Sequence, residues 1–187
     1  MDWMIFGVVI AWLGVVSWFD LRKNEIPHSA WAVIPLVTAL IYRSGLGGWR
    51  LALFSLLVAA VSERERIAEW MGWPELKQIV SWLPLLFLGA YFALPIFPMT
   101  TIAIFGFWLA WELGWWGGAD AVCAITLCLV WTEVDFLLAF LAAHLAAVLA
   151  LGTLSFIRSK KISLHRIPGL PLLLASVLIY RASTTIF

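Results

Sequence analysis

The chain has 187 residues, of which 64% are hydrophobic and only 12% charged, with a formal net charge of +1. Soluble domains carry about 45–50% apolar residues, so this composition excludes a water-soluble globule and predicts an all-α, polytopic transmembrane helical bundle. No basic patch stands apart from the flanks of the hydrophobic segments, which argues against nucleic acid as a partner and leaves membrane lipids.

Hydrophobic runs fall at 3–19, 29–42, 47–62, 79–98, 100–116, 120–131, 135–157 and 168–182. The first is not preceded by a basic run but followed by Arg22 and Lys23, so it reads as a retained helix with its N-terminus outside. If all eight runs cross, nine cations fall inside (Arg22, Lys23, Arg64, Arg66, Lys77, Arg158, Lys160, Lys161, Arg166) and three outside (Arg43, Arg50, Arg181). That bias obeys the positive-inside rule. Many of the 13 tryptophans sit near run ends, as an interfacial aromatic belt requires.

Residues 63–78 alternate acid and base around Ile67, Trp70, Met71, Trp73 and Leu76, which predicts a short amphipathic cytoplasmic helix on the membrane surface. Its Glu63, Glu65, Glu69 and Glu75 read as a solvated face, with attraction of a basic substrate as the alternative. The abrupt charge at Ser62-Glu63-Arg64-Glu65-Arg66 makes 47–62 the weakest span. Should it lie on the interface, a second segment must also fail to cross, and six spans are the alternative to eight. With no linker or repeat, residues 1–187 read as one integral-membrane domain.

Two polar strings interrupt the apolar chain: Asp20-Leu21-Arg22-Lys23-Asn24-Glu25-Ile26-Pro27 and Gly117-Gly118-Ala119-Asp120. The threading brings both aspartates to the cytoplasmic face. A carboxylate at membrane depth is costly and is read first as functional. Two carboxylates sharing one proton hydrolyse peptides without metal or nucleophile: the ionised partner takes a proton from the attacking water, and the protonated one polarises the carbonyl. Gly117 and Gly118 let the backbone turn tightly, and Asp120 then opens a helix whose free amides favour an anion. The run from Asp120 to the polar Thr132-Glu133-Val134-Asp135 turn is short, covering about 16–20 Å against roughly 30 Å of hydrocarbon. Either the bilayer is locally thinned, or Asp120 sits below the surface at the head of a shortened helix. Glu112, an acid inside an apolar run, is a candidate modulator that would tune the pair or bind Arg22 or Lys23.

Both strings resemble the motifs of type IV prepilin peptidases, particularly the archaeal preflagellin/prepilin peptidase branch of the GxGD-type intramembrane aspartyl proteases. Asp20 to Pro27 looks like the first motif, and Gly117-Gly118-Ala119-Asp120 like the second. Arg166-Ile167-Pro168-Gly169-Leu170-Pro171 is similar to the start of that family's final helix. The resemblance implies Asp20 and Asp120 as the catalytic pair, with Gly117, Gly118, Ala119, Ile26 and Pro27 positioning substrate. It implies a plasma-membrane endopeptidase that removes basic leader peptides from pilin-like or archaellin-like precursors on the cytoplasmic side. His28 departs from the motif, where Asn or Asp often stands. The 100-residue separation of the aspartates (120 − 20) also exceeds the six-helix pattern and calls for an added hairpin within 47–98. No loop with paired CxxC is present, so neither zinc nor methylation is implied, and no cofactor is expected.

Cys123 and Cys128 lack metal-ligand spacing and read as small core or lipid-facing residues. His144 reads as a packing residue. Glu133 and Asp135 are expected to be solvated at the outer face. The rival reading is an ion- or proton-coupled transporter, where paired membrane acids also occur, but the repeated halves it predicts are missing. A membrane scaffold that tolerates loss of either aspartate is the other.

Overall fold

The computed structural model describes residues 3–23, 32–159 and 169–186. Within them every regular element is helical: α1 (Trp3–Lys23), α2 (Ile34–Gly45), α3 (Trp49–Ser62), α4 (Arg64–Met71), α5 (Leu83–Ala93), α6 (Pro98–Glu112), α7 (Gly118–Val130), α8 (Val134–Ser159) and α9 (Gly169–Ile186). The all-α expectation is met. Two compact units are distinguished, one formed by residues 1–31 and 133–187 and the other by 32–132.

In the first unit α9 packs against both α1 and α8. Val9, Leu13 and Val16 line one face of α1, and Leu170, Leu173 and Val177 one face of α9, all buried at helical spacing. On α8 the small residues Ala139 and Ala143 are buried beside Phe136, whose ring meets Tyr180 edge-on at 5.7 Å. Small side chains let helices approach closely where lipid supplies no hydrophobic drive. Next to Tyr180 on α9, the Arg181 guanidinium lies 3.7 Å above the Trp3 ring.

The second unit is built around α7, which packs against α2, α3 and α6. Most of α7 is buried, from Asp120 and Ala121 through Leu129, as suits a helix apolar all round. Across the unit, α3 buries Leu51, Phe54, Val58 and Val61 along one stripe and packs against α5. Contact between α3 and α5 is made at Gly89, where a Cβ would stand 2.8 Å from Leu57 Cδ1 and 3.3 Å from Phe54 Cδ2.

Proline sets where several helices begin and end. Pro35, Pro84 and Pro98 occupy first-turn positions of α2, α5 and α6, where a missing N–H costs nothing. Pro84 and Pro95 bracket α5, so the apolar run 79–98 yields only 11 helical residues, preceded by a 3-10 turn over Ile79–Trp82. Among the described residues one helix, Trp3–Arg22, is long and apolar enough to cross a membrane, with 20 residues of mean hydropathy 2.0. Five shorter apolar helices or helix segments of 10–17 residues follow. Residues 63–78, expected as one amphipathic helix, break after α4 because Gly72 takes a left-handed φ of 68°. A 3-10 turn over Pro74–Lys77 completes the segment.

Candidate carboxylate sites

Asp120 lies in the first turn of α7, three residues past the N-cap Gly117, and is only 7% exposed. Free N–H groups and the positive end of the helix dipole stabilise negative charge at this position. The opposite end of α7 is satisfied by a cation. Arg43 donates from Nε to the Leu129 carbonyl at 2.6 Å and from Nη2 to the Val130 carbonyl at 2.8 Å. With 13 residues α7 spans roughly 20 Å. The shortened helix expected from sequence is present, with its aspartate buried rather than solvated.

The glycines before Asp120 act differently from expectation. Gly117 has φ −71° and ψ 147°, an extended conformation open to any residue, so no tight glycine turn occurs there. The left-handed residue is Gly114, with φ 71°, just after α6. Gly118 is closely approached instead: a Cβ there would stand 3.1 Å from Nε1 of Trp111, so the indole or the backbone would have to give by a few tenths of an ångström, and 3.5 Å from Cε2, an ordinary contact. Ala119 follows it in the first turn, half-buried.

The connection from α6 to α7 is folded back on α6. Both Trp115 and Trp116 donate their N–H to the Ala110 carbonyl, at 2.9 and 3.2 Å, and Gly114 donates to Trp111 at 2.9 Å. The Trp116 ring stacks on Phe107 with centroids 5.3 Å apart and planes 4° from parallel. These bonds hold the chain that delivers Gly117 to α7.

Glu112 ends α6, and both its oxygens accept from Arg64, at 2.6 Å from Nη1 and 3.1 Å from Nη2. The partner is Arg64, where sequence position suggested Arg22 or Lys23. The reason is packing: α3 lies against α6, so the residue opening α4 directly after α3 reaches the α6 end. The pair is less than one-fifth exposed on either side chain. Beside it lies a polar cavity of about 420 Å³ lined by Ser62, Glu63, Arg64, Glu65, Arg66, Trp111 and Glu112.

In the first unit Asp20 is half-buried in the last turn of α1, since helix continues through Leu21, Arg22 and Lys23. The Arg22 guanidinium lies 4.1 Å over the Trp18 ring. Ile26 and Pro27 lie outside the described residues, as do Arg166, Ile167 and Pro168, while Gly169, Leu170 and Pro171 open α9. Cys123 and Cys128 are both buried in α7, so they are core rather than lipid-facing. His144 shares a hydrogen bond of 3.0 Å between Nδ1 and the Phe140 carbonyl, as a packing histidine does. Glu133 and Asp135 are exposed.

Sequence reasoning missed Trp111 and Arg64. Trp111 is one of 13 tryptophans, and nothing local distinguishes it from the interfacial anchors. The only signal for Arg64 is an opposite charge 48 residues away. Comparison with family models, with curated proteins and with solved structures finds no match to this chain.

Proposed function

We propose that this protein is a multi-pass α-helical membrane endopeptidase of the aspartyl type, working at the cytoplasmic face of the plasma membrane. The observation that carries the reading is Asp120, a buried carboxylate in the first turn of a short, otherwise apolar helix. A carboxylate in such a place is read first as functional. The resemblance of residues 20–27 and 117–120 to the prepilin peptidase motifs implies that function, with Asp20 as the second catalytic carboxylate.

Membrane residence is supported by exposed apolar stripes. Leu138, Leu141, Leu145 and Leu149 on α8, and Met99, Ile102, Phe105 and Leu109 on α6, recur at helical spacing and face outward. Phe87 and Tyr91 on α5 are exposed likewise, and within each unit such apolar side chains suit contact with acyl chains. Helices shorter than the hydrocarbon, such as α5 and α7, are accommodated by local bilayer thinning. That thinning would bring the first turn of α7 within reach of water.

In this reading the two carboxylates hold one proton between them and titrate as a pair. The ionised member removes a proton from water as its oxygen adds to the scissile carbonyl. The protonated member donates to the carbonyl oxygen, and the proton taken from water passes to the departing amine. Substrates are pilin-like or archaellin-like precursors with short basic leaders, and no cofactor takes part.

The test is cleavage of a tagged prepilin-like precursor in membranes by wild type, Asp20→Asn and Asp120→Asn. Trimming by wild type and its loss in each near-isosteric variant, with normal insertion, supports the pair. Undiminished cleavage by either variant sinks it.

A further inference from the structure

The geometry points to Trp111 as a positioning residue for Asp120, acting through Gly118. It rests on reading Asp120 as catalytic. Gly118 is the first residue of α7 and Asp120 the third, so whatever fixes the backbone at 118 fixes the carboxylate one half-turn on. The edge of the Trp111 indole lies against Gly118 so closely that even a methyl group does not fit without displacement.

The residues on either side of Trp111 are held. The Ala110 carbonyl accepts two N–H groups from the returning loop. Glu112 is clamped by both terminal nitrogens of Arg64. Trp111, between these two fixed neighbours, lies against the first turn of α7 and lines the polar cavity beside the ion pair. The contact transmits the position of the α3–α4 junction to the start of α7. Catalysis by positioned carboxylates is sensitive to such placement, since a displacement of 1 Å can cost on the order of 100-fold in rate.

Size compensation tests this. Gly118→Ala, Trp111→Leu and the double variant are compared with wild type and Asp120→Asn as full-length protein in reconstituted membranes. Gly118→Ala is expected to lower kcat for precursor cleavage about 3- to 10-fold with little change in KM, as a shift of a few tenths of an ångström would. In the Trp111→Leu background, where the added methyl has room, the same substitution should cost less than about 1.5-fold, a departure from additivity. A second readout needs no catalysis. With Cys123 and Cys128 replaced by alanine, a thiol introduced as Asp120→Cys is reacted with a small methanethiosulfonate. Its rate should shift severalfold on Gly118→Ala and stay constant when Trp111→Leu is also present. Equal effects of Gly118→Ala in both backgrounds, or a thiol rate that Gly118→Ala leaves unmoved, overturn the inference. Should wild type not cleave, or Asp120→Asn cleave fully, the protease reading fails, and the thiol rates still decide whether Trp111 positions residue 120.

Discussion

Arg43 and Leu129 are 86 residues apart in sequence and joined by a hydrogen bond of 2.6 Å, from the guanidinium Nε to the main-chain carbonyl. With the second bond to Val130, this makes Arg43 the C-terminal cap of the helix that Asp120 opens. A cation at that end complements the dipole, and a planar guanidinium serves two carbonyls at once. Arg43 is 9% exposed, so water does not replace it freely. Arg43→Ala should destabilise the protein by about 2–4 kcal/mol, since two carbonyls lose charge-assisted donors. Arg43→Lys should recover only part of that. Thermal unfolding in detergent checks both, and an unchanged midpoint for Arg43→Ala would contradict the capping role.

The α3–α5 contact makes a different prediction. A methyl at position 89 meets Leu57 Cδ1 at 2.8 Å, the far end of a flexible side chain that can turn away, and alanine is favoured over glycine inside a helix, so Gly89→Ala should change stability by less than about 1 kcal/mol. Gly89→Leu, whose larger side chain must also displace Phe54, should cost about 1–3 kcal/mol. Leu57→Ala should relieve part of the Gly89→Leu penalty, and a double-mutant cycle in unfolding measurements reads that coupling.

The Arg64–Glu112 pair is partly buried, so breaking it leaves a charge short of water. Glu112→Gln keeps one acceptor and should cost about 1–2 kcal/mol, while Arg64→Ala should cost about 2–3 kcal/mol. Exchanging the two residues (Arg64→Glu with Glu112→Arg) should restore part of the loss. Unfolding midpoints of wild type, Arg64→Glu, Glu112→Arg and the exchange decide it. If the exchange is no better than the sum of the single charge reversals, the pairing contributes little.

Topology is testable with the same buried cysteines as a quiet background. Trp70 is 87% exposed beyond α3, whereas Arg50 lies in its first turn. If α3 crosses, Trp70→Cys should react with an impermeant maleimide only from the cytoplasm and Arg50→Cys only from outside. Labelling of both from one side would show that α3 lies on the interface, leaving the six-span arrangement.

Helicity was legible because it follows from the long apolar runs, to which every residue contributes and which no single contact decides. So was the short helix beginning near Asp120, since a Gly-Gly string and a polar turn bound it within a dozen residues. Proline already marked α5 as brief, although the continuous apolar run 79–98 disguised it. What only tertiary structure decided are the partners across sequence: Arg64 for Glu112, Arg43 for the end of α7, Leu57 and Phe54 for Gly89, Trp111 for Gly118. Each depends on which helix faces which, and apolar helices without strong amphipathic patterning leave that open. The two glycines before Asp120 make the point most plainly. A Gly-Gly string reads as a turn, yet Gly117 has an ordinary extended backbone, and Gly118 is small because an indole from the neighbouring helix occupies the place a side chain would take.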